Sequence, residues 1–92
     1  MIVKDLADEL GPRGIRVNGL LPGSFATDRR FAIDARYGAP DVVRRRNESG
    51  IPLGRYGEPE EFGRAAAFLL SPAASFVSGA LVPVDGGASR SV

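Results

Sequence analysis

The chain has 92 residues, 43% of them hydrophobic and 25% charged, with a formal net charge of +1. This is an ordinary globular composition with enough apolar residues for one small domain, and its near-neutral balance marks neither a nucleic-acid binder nor a membrane-surface protein. With no Cys and no His, disulfides and the common zinc sites are ruled out; without a membrane-length apolar run or a secretory pattern, the expectation is a soluble cytoplasmic protein.

Met1 to Leu10 reads as an amphipathic helix with Ile2, Val3, Leu6, Ala7 and Leu10 on one face, and Gly11-Pro12 stops it. No short polar cap precedes its first apolar residue, so it reads as the later part of a longer helix, cut or shortened at its start. Ile15 to Leu21 then reads as a buried parallel strand ending in a Pro22-Gly23 turn, where Pro22 fixes its own φ and Gly23 is free to take conformations closed to other residues. Asn18 is expected to be satisfied by neighbouring backbone and Arg16 to be a solvated or interface charge. Thr27 suits the N-cap of the next helix.

Two short helices are expected over Asp28–Tyr37 and Pro40–Glu48. Six arginines (Arg29, Arg30, Arg36, Arg44, Arg45 and Arg46) face four acids (Asp28, Asp34, Asp41 and Glu48) across this stretch. Arg44-Arg45-Arg46 fans out around a helix with no accompanying aromatic ladder, so it reads as a solvated face and no nucleic-acid partner is expected. Asn47-Glu48-Ser49 matches a glycosylation acceptor by chance only, since no secretion signal accompanies it.

Pro59 at a first helical position, with Glu60 and Glu61 in the first turn, starts a further helix whose buried face is Phe62, Ala65, Ala66, Leu69 and Leu70. Its cap falls to Glu58, which lacks the short capping oxygen of Ser or Asp. The two glutamates are explained by the helix dipole without any acid–base role. Ser71-Pro72 ends the helix, and Ala80 to Val84 forms a last strand, which Pro83 places at a sheet edge. The two strands with their crossover make one βαβ unit, and Ala88–Val92 reads as a frayed tail.

Taken in this order, the motifs resemble those of short-chain dehydrogenases/reductases. Ile15-Arg16-Val17-Asn18, Pro22-Gly23 and Thr27 are similar to that family's I-R-V-N-x-x-x-P-G-x-x-x-T segment. Ile51 to Glu61 resembles its I-P-L-G-R-x-G-x-P-E-E segment, and Val84-Asp85-Gly86-Gly87 its closing V-D-G-G. The resemblance implies an α/β fold, the C-terminal part of a Rossmann-type doubly wound parallel sheet, with residues 1–92 as a single unit. It implies NAD or NADP as cofactor, with Pro22, Gly23 and Phe25 meeting the nicotinamide carboxamide through backbone and Thr27 meeting the carboxamide or pyrophosphate. Neutral donors suit that place because they bond without adding charge beside the transferring hydride. A small carbonyl or alcohol substrate is implied for the complete protein, with 28–50 as its mobile substrate loop.

The same family draws its catalysis from a glycine-rich turn and a Tyr-x-x-x-Lys. Here Tyr37 is followed four residues later by Asp41, Tyr56 by Glu60, and Lys4 is the only lysine, so no catalytic residue is assigned. Two readings stand: the C-terminal segment of an NAD(P)-dependent oxidoreductase, inactive alone and complemented by an N-terminal half, or a non-catalytic remnant or assembly module. In the second reading the uncovered sheet edge drives self-association, so the partner expected is a further copy in a homo-oligomer or else the complementing N-terminal half.

Overall fold

The computed structural model describes residues 2–89; the part of the tail expected at 90–92 and the first residue of the opening helix lie outside them. Helix α1, Ile2–Leu10, runs into a 3₁₀ turn over Gly11–Arg13 that Gly14 closes at φ 75°, its N–H reaching the Gly11 carbonyl at 2.9 Å. Strand β1, Gly19–Pro22, follows; then come α2, Asp28–Asp34, α3, Pro40–Ser49, α4, Pro59–Leu70, a 3₁₀ turn over Pro72–Ala74, and β2, Leu81–Val84. β1 and β2 are parallel, with Gly19 opposite Leu81 and Pro22 opposite Val84.

The ladder is shorter than the expected Ile15–Leu21 and begins only at Gly19. The reason is Asn18: its Nδ2 donates to the Val77 carbonyl at 3.0 Å and its Oδ1 accepts the Ala80 N–H at 3.1 Å, so a side chain occupies the place of a rung. Gly79, at φ 78°, turns its N–H onto the Val17 carbonyl at 2.7 Å, and the Val17 N–H goes to the Ser78 hydroxyl. The expectation that Asn18 is satisfied by backbone holds.

Gly19 N–H donates to the Ala80 carbonyl and Gly23 N–H to the Val84 carbonyl. Alternate residues therefore face the partner strand, and Pro22 and Pro83 fall on the outward parity, where a missing N–H breaks no rung. Among the described residues no strand pairs with the outer side of β1, toward which Leu20 turns its N–H.

Three further expectations are corrected. α2 stops at Asp34 instead of Tyr37, because Arg36 and Tyr37 tighten into three-residue turns on Ile33 and Asp34 carbonyls. Leu70 was expected on the buried face of α4 and is 83% exposed. Arg16 is held within the fold instead of standing free in solvent: its Nη1 donates to the carbonyls of Leu69 (2.8 Å) and Val77 (3.3 Å) and Nη2 to Ser71 (3.5 Å). These include the orphan carbonyls at the end of α4. Arg16→Ala should cost about 1–3 kcal/mol in denaturant unfolding followed by circular dichroism, with Arg16→Lys recovering only part, since one ammonium cannot span three carbonyls.

The buried core is small: Ala7, Val43, Tyr56, Leu69 and Ala74, with Asp34. The radius of gyration is 16.1 Å, against about 12 Å for a compact domain of this length. Accessible surface is 6567 Å², against about 5,100 Å² for a monomer of this mass. The excess is apolar in part, since Ile2 on α1, Leu70 on α4 and Phe76 stand out in solvent.

Candidate functional site

The four residues singled out in the sequence lie at the carboxyl end of β1, Pro22 as its last residue and Gly23, Phe25 and Thr27 in the turn that follows. Gly23 extends the pairing by one rung, with its N–H 3.0 Å from the Val84 carbonyl. Its need for glycine is not the one expected, because its φ is not positive. A Cβ at this position would lie 2.6 Å from Asp85 Cβ and 2.7 Å from Asp85 Cα, so glycine is required by close approach of two backbones.

Phe25 forms an isolated parallel bridge with Gly57: the Gly57 N–H reaches the Ser24 carbonyl at 3.0 Å and the Ala26 N–H reaches the Gly57 carbonyl at 2.8 Å. The Phe25 ring turns inward, edge-to-face on Phe62 of α4 at 5.6 Å, and a Cβ on Gly57 would come within 2.6 Å of it. The side chain is thus an anchor. The backbone is not consumed: the amides of Ser24 and Phe25 find no partner among the described residues. Thr27 caps α2, its hydroxyl oxygen accepting the Arg30 N–H at 3.1 Å. One hydroxyl proton remains for donation, so capping and ligand contact are compatible.

A cavity of about 540 Å³ opens beside this turn, at the carboxyl ends of both strands. Ser24, Phe25, Leu53, Arg55, Glu61 and Asp85 are among its walls. Its charges are paired internally. Arg55 grips the Glu61 carboxylate at 2.7 and 3.0 Å, and Glu61 Oε1 also accepts the Glu58 N–H at 2.8 Å, reaching back over the start of α4. The Arg55 hydrogen bond first, then the Glu58 amide, hold the Glu61 carboxyl down to about 2. An acid fixed so low is a structural anion, not a proton donor near neutrality. Asp85 accepts the amides of Gly87 (3.0 Å) and Ser89 (2.8 Å).

No local pattern pointed to the one buried charged side chain among the described residues. Asp34 is 1% exposed, and its Oδ2 accepts the Tyr56 hydroxyl at 2.7 Å. Its Oδ1 accepts Arg30 Nε and Nη2 at 3.0 and 2.9 Å, and Asn47 Nδ2 at 3.3 Å. Asn47 Nδ2 also meets the Tyr56 hydroxyl at 3.1 Å, while Glu48 takes the Tyr56 N–H and Arg44 Nε. Arg44, expected on a solvated face, lies over the rings of Tyr56 (5.1 Å) and Phe31 (5.4 Å). No buried side-chain polar atom among the described residues lacks a partner.

Burial alone would raise the Asp34 carboxyl, but the Tyr56 and Arg30 hydrogen bonds and the charges of Arg30 and Arg44 hold it below its ordinary value. The Tyr56 phenol is raised, chiefly by burial and despite the Asn47 bond, and its proton is held on a carboxylate. The hydroxyl is thus buried and already committed to Asp34, which makes Tyr56 a structural phenol in this fold. Two Arg-x-x-x-acid pairs, Arg30/Asp34 and Arg44/Glu48, were visible at helical spacing; their meeting on Tyr56 was not.

The family described as enoyl-(acyl carrier protein) reductase matches residues 1–89. Galactitol 2-dehydrogenase (L-tagatose-forming) of Cereibacter sphaeroides is 44% identical over 86 residues, 94% of this chain and 32% of that protein. The crystal structure of YwfH, an NADPH-dependent reductase involved in bacilysin biosynthesis, superposes with TM-score 0.91 and 36% identity, over 99% of this chain and 36% of that one. A short chain dehydrogenase family protein of Francisella tularensis subsp. tularensis SCHU S4 also gives TM-score 0.91, at 33% identity, over 98% of this chain and 39% of that one. The chain spans about a third of the length of the curated relatives it matches.

Proposed function

Because the chain belongs to the short-chain dehydrogenase/reductase family and its fold is the C-terminal part of a Rossmann-type sheet, we propose that residues 1–92 form one unit that supplies the nicotinamide-facing turn of an NAD(P)-dependent oxidoreductase. When bound, the nicotinamide would accept or deliver a hydride, in exchange with a small carbonyl or alcohol substrate. The observation that carries this reading is the pair of unpartnered amides at Ser24 and Phe25, beside the Thr27 hydroxyl, at the carboxyl end of β1. A carboxamide offers a carbonyl oxygen, and this turn offers neutral donors for it. Crevices at strand carboxyl ends are where open α/β sheets take ligands. In this reading Pro22 and Gly23 shape the turn, Phe25 anchors it, and Thr27 both caps α2 and donates to the carboxamide or pyrophosphate.

The proton-transferring residue and the glycine-rich turn come from the portion of the relatives that this chain does not span. The chain alone is therefore inactive, and a complementing N-terminal half restores activity. That half lies against the outer edge of β1 and the exposed stripe of α1. The excess surface of about 1,400 Å² exceeds the roughly 800 Å² one partner contributes to a standard interface. The same surplus supports the second reading, a non-catalytic assembly module that associates with itself. The reducing cytoplasm is the setting, consistent with a chain free of cysteine and with no described helix long and apolar enough to cross a membrane.

The purified chain should leave NADH and NADPH unconsumed with a panel of ketones and aldehydes. Co-expression with a segment bearing a glycine-rich turn and Tyr-x-x-x-Lys should restore consumption. Turnover by the 92 residues alone would overturn the proposal. Stable homo-oligomers that ignore the added segment favour the assembly module.

A further inference from the structure

We propose that Asp34 and Tyr56 are positioning residues that set the conformation of the Ser24–Thr27 turn through a closed hydrogen-bonded circuit. The circuit leaves the turn at Thr27, whose hydroxyl accepts the Arg30 N–H and so fixes the start of α2. Arg30 and Asp34 are joined by two further bonds one helical turn on, and Asp34 receives the Tyr56 hydroxyl at 2.7 Å. Tyr56 is bonded covalently to Gly57, which returns to the turn twice, by its N–H to Ser24 and its carbonyl to Ala26.

α2 has seven residues, too few to hold itself as a helix, so its orientation is imposed at its two ends. One end is the Thr27 cap and the other is the Asp34–Tyr56 bond. The Asp34 end is held most firmly, because carboxylate and phenol are each 1% exposed and Asn47 donates to both. Freeing that end lets α2 rotate about Thr27 and redirects the one hydroxyl proton available there. The Tyr56–Gly57 side acts in parallel, since displacement of Tyr56 moves the two bonds that hold Ser24 and Ala26. The inference rests on the proposed function only in giving the turn a ligand; the circuit itself exists without one.

Amide hydrogen exchange of the 92-residue chain, read by NMR without nucleotide, tests it. Tyr56→Phe removes one hydroxyl and preserves the ring that fills the core. It should speed exchange at Arg30, Ala26 and Gly57 about tenfold or more, while Gly19, Gly23 and the interior of α4 stay within about twofold. Asp34→Asn, which keeps an acceptor for the phenol, should fall between parent and Tyr56→Phe. A purely structural role predicts equal acceleration everywhere, and that result overturns the proposal. So do unchanged rates in the variant, or a parent in which Arg30, Ala26 and Gly57 are unprotected. Because no cofactor enters the measurement, failure here leaves the oxidoreductase reading intact, and failure of nucleotide binding in the complemented protein leaves the circuit intact.

Discussion

Gly23→Ala is expected to separate the carboxyl ends of β1 and β2 and to disorder the turn that follows. The atoms in the way are Asp85 Cβ and Cα, at 2.6 and 2.7 Å from an ideal Cβ, and neither can be moved by a rotamer change. Either the Gly23–Val84 rung breaks or Asp85 shifts, taking its carboxylate off the amides of Gly87 and Ser89. Overpacking of this kind costs about 1–3 kcal/mol, and in a chain this short the melting temperature should fall on the order of 10 °C. Gly63→Ala in α4 is the control, since nothing lies within 4 Å of its added methyl. Alanine in a helix interior should stabilise there by about 0.5–1 kcal/mol. A Gly23→Ala chain that melts with the parent would show that Asp85 yields freely and that the turn has no need of glycine.

That position shows what local rules reach in this sequence and where they stop. Pro22-Gly23 announced a turn, but the reason for glycine lies 62 residues away at Asp85 and no local pattern contains it. The Thr27 cap and the Pro59 helix start were readable because both are decided within four residues. The ladder start was not, because Asn18 replaces a rung only once Val77 and Ala80 lie opposite it. Leu70 has the spacing of a core residue and stands in solvent, since a 3.6-residue stripe says which face is apolar and not whether anything covers it. In the sequence Asp34 is one acid among arginines. Its burial depends on Tyr56, 22 residues on, and on Asn47 of the intervening helix, a convergence that only the tertiary fold creates.

Asp34→Ala should therefore be the most damaging truncation of a polar side chain in the protein. It leaves the Tyr56 hydroxyl, still buried among Arg30, Arg44 and Asn47, without its acceptor, and a buried hydroxyl so stranded costs about 1–3 kcal/mol. Arg30 loses its counter-charge at the same time, while Arg44 keeps Glu48, and this raises the cost above that of Tyr56→Phe alone. The mechanism is the stranded partner, so removing both partners should cost less than the sum of the single changes. Asp34→Leu combined with Tyr56→Phe, compared with each single variant in denaturant unfolding, measures that difference as a coupling energy. Acid adds a second signature. The folded carboxyl lies below the ordinary 3.8, so its contribution is fully present above that value and is lost as pH falls through the lower folded one. Asp34→Asn should remove this acid-linked loss while leaving that of Glu61. Additive single costs would mean that carboxylate and phenol merely neighbour one another and that α2 is held by something else.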